Sequence, residues 1–509
     1  MVRRSRASRD KRQSRSGGKT YQPDWDPITY HTRPTELISD DQLNSIHQAG
    51  LRILAEIGVK VLSDKARNAY AKAGFDVDPD SEMVRFDPQG IAHWLAMAPA
   101  EFSLAARNPE RNLRVGGNHA IFASVGGPAY CMDSELGRRT GTYAEMCDYI
   151  RLVQSLNIIH QEGGGGFEAL DLPANSRHLD LLYAQTTLLD KNWQPWCMGE
   201  EQSIDALNMA AISLQKPVED LADTPVFVCI INTNSPLQLD VPMAEGLMTM
   251  AHYGQAAVVT PFTLSGAMSP TTIAGALAQQ HAEAMAGMAL SQIVRPGVPV
   301  IYGGFTSNVD MRTGSPAFGT PEYQQAAQVT GQLARLIGVP FRSSNVTSAN
   351  SNDAQAAYES MMSLWGAISG QAHLVNHAAG WLGGGLTASY EKLIIDTEML
   401  QMISAATKPF IVDESNLAIE AIREVGPGGH FFGTAHTMER YQTAFYRPMI
   451  SNWDNYETWL ENGSPTAETS AHKTWKKLLQ EYEQPALDAT IDAELQDYVA
   501  RRKREIKNH

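Results

Sequence analysis

Aromatic and acidic side chains recur where short apolar runs of this sequence end. These residues are Tyr130 with Asp133, Phe167 with Glu168, Trp196 with Glu200 and Glu201, Phe262, Tyr302 with Phe305, and Trp381. A quaternary ammonium cation has no N–H to donate, so proteins hold it against ring faces, at about 1 to 2 kcal/mol per desolvated ring, with a carboxylate nearby. The pattern therefore predicts a site for a permanently cationic ligand.

Residues suited to other chemistries are sparse at these positions. Lys216 is the only lysine between Lys191 and Lys392, so the predicted strand ends lack an amine for a Schiff base. His373 and His377 are four residues apart on a predicted strand, a poor spacing for two ligands of one metal ion, and we expect no tightly bound metal. The run 163–166 lacks the later glycine of a dinucleotide fingerprint, and we interpret it as a tight loop lining a cavity.

Two other functions stay open beside an enzyme that acts on a quaternary amine. The first is a lyase or hydrolase that uses Glu200 and His377 as acid and base. The second is a protein that binds or senses quaternary ammonium compounds without catalysis.

A repeated strand–helix unit must position these residues. Apolar runs of strand-forming residues lie at 120–125 or the neighbouring 129–132, and at 158–162, 193–198, 226–232, 257–264, 298–303, 340–344 and 372–377. Amphipathic stretches lie at 142–155, 177–189, 203–214, 241–252, 273–294, 323–337, 354–368 and 391–404. Eight such units predict an α/β fold, a (βα)8 TIM barrel whose reactive groups lie at the carboxyl ends of the strands. An open doubly wound sheet would show the same alternation.

The barrel is predicted to span residues 119–410. Residues 21–118 should form a helical extension that packs on it, beginning with helices at 40–57 and 65–73, and residues 411–509 an irregular extension that completes the same domain. Residues 1–20 are rich in lysine and arginine with almost nothing apolar, which predicts a disordered basic tail without the apolar segment of a secretory signal.

Composition limits the partners. A net charge of −15 disfavours nucleic acid as a partner of the folded body, and no run approaches the roughly 18 apolar residues of a membrane-spanning helix. Four scattered cysteines predict buried thiols in a reducing compartment. We therefore expect a soluble, cytoplasmic protein, and the sequence leaves a homo-oligomer open.

Three strings resemble the trimethylamine methyltransferase family, which is related to methanogenesis. They are Gly126-Gly127-Pro128-Ala129-Tyr130 followed by Asp133, the stretch 352–359, and the pieces 426–436, 446–448 and 454–459 near the end of the chain. The resemblance covers nearly everything after about residue 35. It implies a (βα)8 barrel that transfers a methyl group from an amine to the cobalt(I) of a corrinoid (cobalamin) carried by a separate cognate protein.

Archaeal trimethylamine enzymes of this family carry pyrrolysine, whose imine ring captures the amine. The matching position here is at about Ser351, within the window 348–352, and this sequence has only standard residues there. The resemblance therefore points to the branch without pyrrolysine, whose characterised activity is glycine betaine demethylation. A quaternary ammonium needs no capture because it departs as a neutral amine, so positioning carries the catalysis. Proline betaine, carnitine and choline are further candidate substrates.

The family motifs then suggest roles for single residues. Tyr130 and Asp133 are the first candidates for the ammonium site, with Asp133 as the counter-charge. Tyr390 and His377 follow, with His377 as a hydrogen-bonding partner for a substrate carboxylate, and Glu200 is a weaker candidate. Two rings complete the predicted substrate-binding set, Phe262 and Phe305.

Overall fold

A curled parallel sheet forms the centre of the computed structural model, which describes residues 19–508. Its strands are β1 His119–Ser124, β2 Gln161–Glu162, β3 Asn192–Trp193, β4 Val228–Thr233, β5 Ala256–Pro261, β6 Val300–Gly303, β7 Phe341–Ser344 and β8 Leu374–Ala379. They pair in parallel in the order β3-β2-β1-β8-β7-β6-β5-β4. Between β3 and β4 the described residues form no backbone ladder, and the Asn192 side chain donates across the gap to the Val226 carbonyl.

Eight helices surround this sheet. They are α1 Tyr143–Ser155, α2 Arg177–Leu188, α3 Gly199–Leu214, α4 Val241–His252, α5 Ile273–Val294, α6 Pro321–Leu336, α7 Ala354–Ser369 and α8 Tyr390–Ala406. Local sequence sets several of their starts: Thr142 and Glu145 form a capping box at α1, and Asp240 and Asp353 cap α4 and α7. The predicted (βα)8 barrel is confirmed.

The first barrel strand is the run near 120–125 and not the alternative at 129–132. Residues Tyr130–Asp133 instead belong to a small four-stranded sheet with Gly137–Arg139, Trp381–Leu382 and Thr387–Ser389. Gly126 and Gly127 break the apolar run after β1, so the chain turns before it forms this second, shorter strand.

The N-terminal extension is mixed and not purely helical. Its helices are Asp40–Arg52, continued by a π-helical turn at Ile53–Ile57, then Asp64–Lys72 and Pro88–Leu95. Its strands are Ile28–Thr29, Val59–Val61, Asp76–Asp78, Met83–Arg85, Glu101–Leu104 and Leu113–Gly116. The strands escaped prediction because each is too short to show a clear alternation of apolar and polar residues. The extension packs on α5, where the Tyr70 hydroxyl donates to the Ala286 carbonyl.

The C-terminal extension is irregular only in its first half. Short helices at Glu414–Leu417, Ile419–Val425, Ala435–Arg440 and Tyr456–Glu461 precede two long ones, Ala467–Glu481 and Ala489–Asn508. The first long helix packs on α8, and the second is tied to α3 by Tyr498 and Arg502, which both donate to Asp205.

The basic tail predicted for residues 1–20 lies outside the described residues, apart from its last two. Lys19 pairs with Glu483, and the Thr20 amide donates to Glu481. Within residues 19–508, no helix combines the length and the apolar character that crossing a membrane requires.

Candidate functional site

A cavity of about 640 Å³ opens at the carboxyl ends of the barrel strands. Its floor comes from residues within the strands or directly after them, namely Gln194, Asn232, Thr233, Thr260, Arg342 and Asn376. Its walls come from the loops that follow these strands. This is the position at which (βα)8 barrels hold their active sites.

Aromatic rings line one wall of the cavity. Phe262 and Phe305 lie with ring centroids 5.2 Å apart, and Trp381 lies 6.2 Å from Phe305. Phe318 packs behind all three at 5.8 to 6.3 Å. The Trp381 indole N–H donates to the Thr347 carbonyl at 3.0 Å, which fixes the plane of that ring. We refer to Phe262, Phe305 and Trp381 as the ring wall.

A single guanidinium group faces the cavity beside the ring wall. Arg342, the second residue of β7, is 1% exposed, and its Cζ lies 5.2 Å from the Phe305 ring centroid. Its Nε and Nη1 atoms are buried without a hydrogen-bond acceptor, and no carboxylate of the described residues forms an ion pair with it. Burial lowers the pKa of Arg342 to about 10, so the group is charged at neutral pH.

Side-chain amides form a connected floor beside Arg342. The Gln194 Nε2 donates to the side-chain oxygens of Gln161 (Oε1) and Asn376 (Oδ1), both at 2.9 Å. Because Asn376 accepts with its oxygen, its Nδ2 is left as a donor at the cavity surface. The floor therefore offers N–H donors to an occupant.

His377 follows Asn376 and adopts a left-handed backbone conformation, with φ of 52°. Its ring lies 4.6 Å from Trp381, and its Nδ1 is buried without a partner. Burial, with a smaller contribution from the charge of Arg342, lowers the pKa of His377 well below its usual value. The imidazole is therefore neutral and has one N–H to donate.

Glycines let two loops meet at the opposite wall. A Cβ on Gly126 would lie 2.0 Å from the Gly163 carbonyl oxygen, and one on Gly163 would lie 1.9 Å from the Ser124 carbonyl oxygen. The buried Glu162 carboxylate accepts hydrogen bonds from the Gly164 and Gly165 amides and holds the loop in place. The interpretation of 163–166 as a tight loop at a cavity is confirmed.

Three of the predicted site residues lie in the cavity lining, namely Phe262, Phe305 and His377. They come from the loops after β5 and β6 and from β8, which the closed barrel brings to one opening.

Tyr130 and Asp133 lie outside the lining, in the small sheet. The Asp133 carboxylate pairs with Arg139 at 2.7 Å and accepts from the backbone amides of Glu135 and Leu136, because it closes the turn of a hairpin. The Tyr130 ring is covered by the Arg138 guanidinium, 3.7 Å from its centroid. The predicted counter-charge is therefore already paired within the protein and does not face the cavity.

Tyr390, Glu200 and Ser351 are also placed elsewhere. Tyr390 is buried against Trp475 and donates to the Glu145 carbonyl at 2.9 Å. Glu200 is exposed and pairs with Lys65 at 2.6 Å, so the structure does not bring it together with His377. Ser351, at the approximate pyrrolysine position, is exposed in the loop before α7 and donates to Asp353.

The polar floor of the site escaped sequence reasoning, and its most informative residues are Arg342 and Asn376. The available signal was an arginine inside a short apolar run that was predicted to be a buried strand. A buried arginine in such a place needs an anion or a set of acceptors. Among the described residues that line the cavity, Arg342 is the only charged side chain, because His377 is neutral and no carboxylate or lysine contributes.

The chain is similar in sequence to known proteins. The chain matches the family model described as trimethylamine methyltransferase (MTTB) over residues 3–507. It is 36% identical over 471 residues to the glycine betaine methyltransferase of Desulfitobacterium hafniense (strain Y51), covering 92% of this chain and 98% of that protein. It is 27% identical over 487 residues to the trimethylamine methyltransferase MttB of Methanosarcina barkeri (strain Fusaro / DSM 804), covering 91% and 94%.

A solved structure shares the fold. The monomethylamine methyltransferase (MtmB) of Methanosarcina barkeri superimposes with a TM-score of 0.53 at 10% sequence identity, over 88% of each chain. At that identity the likeness concerns the architecture of the barrel.

Proposed function

The chain belongs to the trimethylamine methyltransferase (MTTB) family, and from this premise we propose that it moves a methyl group from a quaternary amine to the cobalt(I) of a corrinoid carried by a partner protein. Glycine betaine is the first candidate substrate, since a relative with that activity in its name is 36% identical over most of the chain. The tertiary amine left after transfer would be N,N-dimethylglycine.

The ring wall carries this proposal. Phe262, Phe305 and Trp381 present faces and edges within one opening of the cavity. An N-methyl ammonium group is large, apolar at its surface and permanently charged, so ring faces suit it better than a single acidic group does. The ring wall thus suits a methylated ammonium group.

Methyl transfer requires little of the protein beyond positioning the substrate. The corrinoid supplies a strongly nucleophilic cobalt(I) that accepts the methyl group, while the electron pair of the broken C–N bond leaves with the amine as its lone pair. No proton moves in this step, so no acid or base is required. The ring wall then has to hold one N-methyl toward the opening of the cavity, and orientation of this kind supplies several kcal/mol of the rate enhancement.

The exposed position of Ser351 is compatible with this mechanism. An imine would be needed to capture and activate a neutral amine, whereas a quaternary amine is already activated by its charge. Ser351 is exposed and lies outside the cavity lining, which supports a mechanism that needs no group at that position.

The test is methyl transfer to free cob(I)alamin by the purified chain, with glycine betaine as donor and ligand binding measured in parallel by calorimetry. We expect loss of the cob(I)alamin absorbance together with formation of N,N-dimethylglycine. Binding of glycine betaine without any demethylation, also with corrinoid proteins added, would favour a binding or sensing protein. A lyase or hydrolase with Glu200 and His377 is disfavoured because the two side chains do not meet.

A further inference from the structure

We infer that Arg342 is the receptor for a carboxylate on the substrate, so that the cavity selects betaines over quaternary amines that lack an acid group. This inference rests on the proposed function and specifies its substrate class. Its evidence is a buried guanidinium in the cavity lining, for which residues 19–508 supply no carboxylate, with the neutral donors of Asn376 and His377 in the same lining.

The guanidinium of Arg342 lacks the partners that a buried arginine normally has. The residue is 1% exposed, two of its nitrogens have no acceptor, and it forms no ion pair with a carboxylate of residues 19–508. The contact with the Phe305 ring offsets part of the charge but accepts no N–H. A buried, unpaired cation is unfavourable, so the arrangement is typical of a site that an anion completes.

The position of Arg342 matches the shape of a short zwitterion. Its Cζ lies 5.2 Å from the centroid of Phe305, the ring at the centre of the ring wall. One methylene separates the ammonium from the carboxylate in glycine betaine. A carboxylate paired with Arg342 would therefore leave the methylated nitrogen beside the rings.

Neighbouring donors fit the same anion. Asn376 and His377 follow each other in the middle of β8, and both line the cavity with Arg342. The Asn376 Nδ2 and the neutral His377 each bring one N–H donor without adding charge. A guanidinium with such neighbours binds a carboxylate in a planar, two-point geometry.

Arg342 also predicts which quaternary amines the cavity binds poorly. A quaternary amine without a carboxylate would place its positive charge near an unscreened guanidinium, and like charges at such a distance repel strongly inside a protein. The lining contributed by the described residues has no acidic side chain to offset that repulsion. Choline and tetramethylammonium should therefore bind poorly although they fit the rings.

The first measurement uses the unaltered protein. We compare calorimetric affinities for glycine betaine, its methyl ester and choline, since the ester keeps the shape and removes the negative charge. We expect both neutral-ended ligands to bind about 100-fold more weakly than glycine betaine, the range of a charged, two-point hydrogen bond. Affinities of the ester or choline within about threefold of that of glycine betaine would overturn the inference.

The second measurement uses Arg342→Gln, with Arg312→Gln on an exposed loop as the matched control. We expect Arg342→Gln to lose about 100-fold in affinity for glycine betaine and to keep or gain affinity for choline, while the control stays unchanged. Equal losses for both ligands would contradict a carboxylate receptor. If this variant does not fold, the ester comparison decides alone.

These measurements distinguish a failure of the carboxylate receptor from a failure of the proposed function. Methyl transfer from choline or the ester at the rate seen with glycine betaine would overturn the receptor and leave the proposed function standing. Absence of both binding and transfer with all three compounds would contradict both.

Discussion

At the scale of single residues, the cavity combines aromatic rings with one guanidinium group, that of Arg342. The residue pattern predicts an acidic counter-charge beside the rings, Asp133, which lies outside the lining. Rings and an arginine together suit a zwitterionic ligand, whereas rings with an acidic group would suit a simple cation. Residue types near strand ends were thus a good guide to the rings and a poor guide to the polar partner.

Removing one ring should weaken binding of the ammonium group. For Phe305→Leu we expect glycine betaine to bind about tenfold more weakly, in line with about 1 to 2 kcal/mol for a desolvated ring. Leucine keeps most of the volume, so the fold should hold. Calorimetry measures the affinity, and Tyr441→Leu, an exposed ring in the C-terminal extension, serves as control. An unchanged affinity in Phe305→Leu would remove this ring from the site.

Asp133→Asn should affect stability and leave binding unchanged. The buried carboxylate pairs with Arg139 and closes a hairpin, so its loss should cost about 1 to 3 kcal/mol of unfolding free energy. Its distance from the lining predicts an unaltered affinity for glycine betaine. Denaturant titration and calorimetry give the two values. A loss of affinity in a variant of normal stability would restore Asp133 as the counter-charge.

The pH dependence of binding should follow Arg342 and not His377. Burial lowers the pKa of His377 well below 6.5, so it stays neutral, and burial brings the pKa of Arg342 to about 10. Arginine binds the carboxylate in its protonated form, so affinity should be constant from about pH 6 to 9 and fall as the pH rises through the Arg342 pKa. A bound carboxylate shifts that fall to higher pH. An affinity that changes with a midpoint near 6.5 would instead assign the charge to His377.

At the scale of secondary-structure elements, the repeat was predictable and the small sheet was not. Buried strands and amphipathic helices leave local patterns, and α1, α2, α4 and α5 begin and end within two residues of their predicted limits. The strands β2 and β3 are only two residues long and were predicted as longer runs. Tyr130–Asp133 looked like a barrel strand because its alternation is the same, but its pairing with Thr387–Ser389 depends on contacts far along the chain.

The meeting of the two glycine loops gives a prediction at this scale. In Gly126→Ala the new methyl group would overlap the Gly163 carbonyl, so the loops after β1 and β2 must move apart. We expect reduced affinity for glycine betaine and a lower melting temperature. Gly433→Ala is the matched control, because its position is open and its φ is ordinary. If both variants behave alike, the close approach of the loops does not shape the site.

At the scale of the whole molecule, the chain leaves an unusual amount of apolar surface uncovered. Nearly half of the large apolar side chains that are exposed in residues 19–508 lie between 410 and 460, among them Phe410, Phe432 and Phe445 at 84 to 94% exposure. Helix α7 adds a stripe at helical spacing, Tyr358, Met361, Met362 and Trp365. Apolar patches of this size on a soluble protein mark surfaces that contact another molecule.

We therefore expect the protein to self-associate through this C-terminal segment. Rings and aliphatic chains of this number present roughly 1,000 Å² or more, above the largest patches of ordinary monomers and close to what each partner buries in a stable interface. Analytical ultracentrifugation should show a dimer or larger oligomer that dissociates in a Phe432→Glu, Phe445→Glu double variant. Met311→Glu, exposed elsewhere, should leave it intact. A monomeric unaltered chain at micromolar concentration would contradict this.

Methyl transfer from a quaternary amine is tested most directly by following the methyl group itself. Glycine betaine labelled with ¹³C in its N-methyl groups is incubated for a single turnover with the chain and cob(I)alamin, and the products are resolved by NMR. We expect one labelled methyl group on the corrinoid for each N,N-dimethylglycine released. Label in free trimethylamine or in methanol, or label that stays in glycine betaine while the compound binds, would contradict methyl transfer from a quaternary amine.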